Sequence, residues 1–146
     1  MNKEQKRAVR CVCLKILYAN SSTGILFNEI LDNFNDEEAL ENINKDQIKY
    51  ASMLFDLTIS NKIELDKLIE SKLVNWKIQR LALMDKMILR MSLSEMLYVE
   101  SVPPKVSISE GIEIVKKFST DESSSFVNGI LDSVFHSLED LSVSDH

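Results

Sequence analysis

The residues of this chain best suited to holding a ligand are four cations near its N-terminus, Lys3, Lys6, Arg7 and Arg10. In an α-helix they fall within an arc of about 100°, with Tyr18 further along nearly the same side. Cations so placed neutralise phosphates and a ring stacks on a base, which is how a single strand of nucleic acid is held. Four phosphate contacts would give a salt slope of about −3. A solvated N-terminal helix whose charges bind nothing in particular has the same pattern.

Other chemistry is thinner. Glu64 and Asp66, at i and i+2, point apart on a helix and share no site. Cys11 and Cys13, the two cysteines, point to nearly opposite sides of a helix, so buried thiols are expected rather than a disulfide or a metal site. Glu95 lies beside Met84, Ile88 and Met91, facing the core. A buried carboxylate must be hydrogen-bonded, and the neighbouring helix start near Ser107 is the expected donor; a general acid or base is the other reading. His136 is expected at the surface of the last helix or interacting with its C-terminal end. No Gly-rich phosphate loop, G-x-S-x-G elbow or metal-ligand cluster appears, so neither an enzyme nor a cofactor is expected.

The formal net charge is −6, from 17 Lys and Arg against 23 Asp and Glu. That balance excludes strong, indiscriminate nucleic-acid binding and makes the placement of the cations decisive.

The elements that must position these residues are helical. With 146 residues, 45% hydrophobic, three Gly and two Pro, the chain reads as one all-α domain over residues 1–140 with a flexible tail over 141–146. No apolar run approaches the ~20 residues of a membrane span and no secretory leader is evident, so a cytoplasmic protein is expected. A first helix is expected over residues 3–19, with Asn20 to Gly24 as a loop. A short amphipathic segment follows, then a short helix starting at Asp36, Glu37 and Glu38. Asn44 with Gln47 reads as a capping box for a longer helix, with a bend near Ser60-Asn61. Asn75-Trp76 turns into a nearly all-apolar central helix over roughly 78–100, with Lys86, Arg90 and Ser94, and Gln79 behind them, as its polar strip.

After Pro103-Pro104, Ser107 and Glu110 have capping-box form and predict a helix start near Ser107. Ser119, Thr120 and Asp121 form an elbow, beyond which Phe126, Val127, Ile130, Leu131, Val134, Phe135 and Leu138 make a broad apolar stripe. Within it Gly129 costs ~1 kcal/mol relative to alanine. Either a close helix crossing or a ligand near the exposed backbone at Asn128-Gly129 would compensate.

The stretch FVNGILD, following KKFSTDESSS, resembles the signature of the NusB family of transcription antitermination factors. LKILYA behind the basic N-terminus, the run NWKIQRLALMDKMILRMSLSEMLY and the block PPKVSISEGIEIVKKF also resemble that family, in order and at similar distances. The resemblance implies an all-α fold of about seven helices in two small bundles. It implies pairing with the small-subunit ribosomal protein NusE, so that the pair binds boxA-type single-stranded RNA and modifies elongating RNA polymerase, notably on ribosomal RNA operons. Carried over position by position, it makes Lys3, Lys6, Arg7, Arg10, Tyr18, Phe118 and Phe126 the RNA-side residues. Asp85 and Glu122 become the NusE-side residues. The chain departs from the family in having fewer N-terminal arginines, an elbow without glycine, and Gly111 in place of a usual alanine. The alternative is a non-RNA helical interaction module, like the accessory domain of certain ribosomal RNA cytosine methyltransferases.

Overall fold

A computed structural model describes residues 1–34, 40–74 and 77–144, which form seven α-helices and a 3-10 turn with no strand among the described residues. The chain divides into two compact units, Met1–Ser60 and Asn61–His146. The boundary falls at the bend expected from Ser60-Asn61. None of the helices among the described residues is long and apolar enough to cross a membrane.

The first unit holds α1 (Lys3–Thr23), α2 (Phe27–Asp32) and α3 (Lys45–Ser60). Helix α1 packs on α2 and α3, burying Val9, Val12, Cys13, Leu14, Ile16 and Leu17 with Phe27, Ala51, Leu54 and Phe55. Each fully buried aliphatic or aromatic side chain contributes ~1.5–3 kcal/mol. The rings of Phe27 and Phe55 meet at 5.6 Å in a tilted pair. The expected capping box of α3 is present: Asn44 Oδ1 accepts from Gln47 N at 2.9 Å while Gln47 Oε1 accepts from Asn44 N at 3.0 Å. Gln47 also donates through Nε2 to the Gln5 carbonyl at 3.2 Å, joining α3 to the first turn of α1.

The expected loop over Asn20 to Gly24 is instead another turn of α1. The hydroxyls of Ser21 and Thr23 donate back to the carbonyls of Tyr18 and Ala19 at 2.6 and 2.8 Å, so polar residues that favour loops are satisfied within the helix. Gly24 ends it with φ 71°, its N–H donating to Asn20 O at 2.8 Å. A left-handed residue here is easiest for glycine. The short helix expected from Asp36 lies largely outside the described residues.

The second unit holds α4 (Lys62–Ser71), the 3-10 turn Ile78–Arg80, α5 (Leu83–Tyr98), α6 (Pro104–Phe118) and α7 (Asp121–Ser144). Helix α5 is the centre, touching α4, α6 and α7, and it buries Met87, Ile88, Leu89, Met91, Leu93 and Met96. Asp66 on α4 takes both a 2.6 Å and a 2.7 Å hydrogen bond from the Arg90 guanidinium on α5. This bidentate pair fixes the rotation of one helix against the other. Of the expected polar strip, Lys86 and Arg90 are half-buried and Gln79 is exposed, whereas Ser94 is fully buried.

Four expectations for this unit are corrected. The apolar run over 78–100 is not one helix, because Leu81 and Ala82 are extended (ψ 144° and 138°) and α5 begins only at Leu83. Helix α6 starts at Pro104, not Ser107: a proline at the first helical position has the right φ and lacks only an N–H that would be unpaired anyway. The supposed cap Ser107 lies inside and donates to Glu95 Oε1 at 3.2 Å, while Glu95 itself is only 2% exposed. Glu95 thus meets α6 through a side-chain hydroxyl, where bonds to the orphan N–H groups of the helix start were expected.

The close helix crossing is at Gly111, not Gly129. A Cβ on Gly111 would stand 2.8 Å from Ser92 Oγ and 3.1 Å from Leu131 Cδ1, whereas one on Gly129 would meet nothing within 4 Å. Asn128 and Gly129 are both exposed. Finally, α7 continues to Ser144, so the expected tail is helical over most of its length.

Candidate nucleic-acid interface

The basic stripe is built on α1 by an N-terminal capping box. Asn2 Oδ1 accepts from Gln5 N at 2.8 Å, and Gln5 Oε1 accepts from Asn2 N at 3.0 Å. Helix therefore begins at Lys3, which brings Lys3, Lys6 and Arg7 to one end of it. A cation in the first turn, as Lys3 is, opposes the helix dipole by ~0.3–1 kcal/mol, so its placement is not explained by helix stability. Glu4 is the acidic residue in that turn.

Lys3 is exposed, and Lys6 and Arg7 are half-buried. Arg10 departs from the expected stripe, being 3% exposed. Its neighbours Val9, Val12 and Cys13 are core residues, and the guanidinium is drawn in with them. Of the four cations, Lys3, Lys6 and Arg7 keep surface exposed to solvent and Arg10 does not. Tyr18, 43% exposed, presents its ring on the same helix. Eleven residues separate it from Arg7, ~16 Å along the axis.

The second unit has its own candidate surface at the elbow between α6 and α7. Ser119, extended at φ −144°, ends α6, and Thr120 Oγ1 accepts the Ser123 N–H at 3.1 Å, capping α7. Both adjacent hydroxyls then converge on one carboxylate from α5. Ser119 Oγ donates to Asp85 Oδ1 at 3.0 Å and Ser123 Oγ to Asp85 Oδ2 at 2.8 Å. Asp85 is 6% exposed. An ionised carboxylate can accept at both oxygens, so Asp85 bolts the elbow to the first turn of the central helix.

Phe118 and Phe126 flank this elbow, both half-buried. The Lys117 ammonium stands 5.5 Å from the centroid of the Phe118 ring, a cation–π distance. Phe126 lines a depression of about 330 Å³ together with Arg80, Leu81, Ala82, Asp85, Glu122 and Ser123. Phe126, Asp85 and Glu122, assigned to two different partners, thus share one depression. Phe118 is not among its lining residues. Glu122 is exposed and is the carboxylate of the two that faces solvent.

Arg80 and Lys117, not among the residues expected from the sequence, stand respectively at the depression with Phe126 and beside the Phe118 ring. Arg80 sits in a stretch read as continuous helix, which the 3-10 turn and extended Leu81-Ala82 replace. The adjacent residues Lys117-Phe118 carry the only signal for Lys117, a cation next to a ring. His136 is exposed on α7, with Nε2 at 3.3 Å from Asp132 and Nδ1 at 3.6 Å from Glu139. No group of His, Cys, Asp and Glu suited to a metal ion occurs among the described residues.

A model of the NusB family matches residues 7–136. The transcription antitermination protein NusB of Clostridium novyi is 40% identical over 126 residues, covering 86% of this chain and 94% of that protein. The NusB of Chloroherpeton thalassium is 34% identical over 134 residues, covering 92% of this chain. The chain spans 63% of the length of that second relative. Among solved structures, T. maritima NusB superposes with a TM-score of 0.70 at 30% identity, covering 88% of this chain and 89% of that one. A chain from the crystal structure of the antitermination factors NusB and NusE in complex with dsRNA superposes with a TM-score of 0.78 at 25% identity, covering 93% and 99%. A family match over most of the helical chain, with relatives this similar, places the protein: it belongs to the NusB family.

Proposed function

We propose that this protein is an RNA-binding transcription antitermination factor, which pairs with ribosomal protein NusE so that the pair binds boxA-type RNA and modifies elongating RNA polymerase, notably on ribosomal RNA operons. The observation that carries this reading is the superposition, over nearly the whole chain, on a chain from a structure of NusB and NusE in complex with dsRNA. The acidic chain limits what it does alone. Lys3, Lys6 and Arg7 supply phosphate contacts against an overall negative field, Tyr18 and Phe126 supply rings, and the partner adds the remaining affinity. Phe118, with Lys117 beside it, presents a second ring and cation at the elbow.

On the partner side, Glu122 is the exposed carboxylate at the depression, and Asp85 holds the elbow that presents it. Titration calorimetry with purified NusE tests the assignment. Glu122→Lys is expected to weaken association by about tenfold or more, since a reversed charge replaces attraction with repulsion. Equal affinity for the two forms would remove the depression from the NusE side.

A further inference from the structure

We propose that the groove between α6 and α7 docks a basic amphipathic helix of a partner protein. The groove encloses about 540 Å³ in the second unit, with Ile108, Ile112 and Phe135 as apolar floor. All three remain half-buried, so each has surface left to cover. Its charged rim is one-sided: Glu113, Asp132 and Glu139 against Lys105.

The length selects a helix. Lys105 and Glu113 are eight residues apart on α6, ~12 Å, which accommodates two turns of a partner presenting anchors at i, i+3 or i+4, and i+7. The charge selects its sign. Three carboxylates repel a phosphate backbone and attract lysines or arginines flanking an apolar stripe. His136 stands between Asp132 and Glu139 at 3.3 and 3.6 Å, so the α7 side of the rim is one cluster. Lys116 offsets Glu113 only weakly, at 3.6 Å with both side chains about half exposed. A second copy of this chain is a poorer occupant through its own basic helix, because the apolar positions of α1 are already buried.

The test is fluorescence anisotropy on the full chain with a labelled helical peptide of about 14 residues, four turns, carrying a leucine stripe flanked by lysines. Its counterpart has glutamates in place of the lysines. The lysine peptide is expected to bind at least roughly tenfold tighter than the glutamate peptide, and to lose about tenfold on Phe135→Ala or on combined Asp132→Lys and Glu139→Lys. Because those reversals also change net charge, Glu41→Lys with Asp46→Lys in the first unit is the matched control, expected to leave affinity within about twofold. The exposed reversals preserve the fold if Phe135→Ala does not. Equal binding of the two peptides, or equal weakening by the control pair, would overturn the proposal. So would a free chain that dimerises until Phe135 is replaced, which would make a second copy the occupant.

Discussion

Replacing Asp85 with alanine is expected to destabilise the fold by about 2–4 kcal/mol and to loosen the elbow before the rest of the second unit. The magnitude follows from two hydroxyl donors on one carboxylate, Ser119 at 3.0 Å and Ser123 at 2.8 Å, at ~1.5–3 kcal/mol for a hydrogen bond to a charged group. Ser119 and Ser123 are half-buried, so water replaces part of what is lost and the sum falls below the maximum. Asp85→Asn keeps one oxygen acceptor and the side-chain volume, so roughly half the loss is expected from it. Urea denaturation measures both, with an unchanged m-value as the condition for reading the midpoint as stability. Amide exchange at Thr120 to Ser124 should accelerate beyond the global change. A stability within about 0.5 kcal/mol of the parent for Asp85→Ala, the range of an ordinary surface substitution, would refute the bolting role. Asp85 would then be free to serve a partner directly.

Glu95→Leu should cost ~1–3 kcal/mol by the same denaturation assay, because the Ser107 hydroxyl loses a buried acceptor; an unchanged midpoint would mean that α6 does not depend on Glu95. Gly111→Ala gains ~1 kcal/mol of helix propensity but puts a Cβ 2.8 Å from Ser92 Oγ. The substitution should therefore be more favourable in a Ser92→Ala background by about 1 kcal/mol or more, and additivity in the double-mutant cycle would contradict the crossing.

The helical class, the bend at Ser60-Asn61, the Asn44-Gln47 cap and the elbow at Ser119-Thr120 were legible in the sequence, because each rests on local chemistry within a turn or two. The start of α6 was misplaced because two local signals competed, and proline at the first helical position outranked a serine whose hydroxyl has a tertiary partner in Glu95. Helix crossings were illegible for a different reason. Gly111 and Gly129 look alike in sequence, and only the approach of Ser92 and Leu131 distinguishes them. At the candidate site, periodicity placed Lys3, Lys6, Arg7 and Arg10 on one side of α1 but could not say how deep that side lies, so the burial of Arg10 was missed. Asp85 looked like an edge residue of a polar strip. The two serines that enclose it come from more than thirty residues away, beyond the reach of any pattern on its own helix.

A salt titration of fluorescent boxA-like RNA, with and without NusE, tests most directly whether an acidic helical chain binds RNA through the end of α1. Binding to the chain alone should be weak and binding to the complex tighter. With Lys3, Lys6 and Arg7 as the phosphate contacts, their share of the slope is about −2, at roughly −0.7 per contact on a single strand. Lys6→Ala with Arg7→Ala should flatten the slope of the complex by about 1.4 and weaken binding, while Tyr18→Ala should cost ~1–3 kcal/mol with the slope unchanged. A complex whose affinity and slope are untouched by the Lys6 and Arg7 substitutions would contradict the reading, leaving the stripe a solvated helix face and RNA held elsewhere.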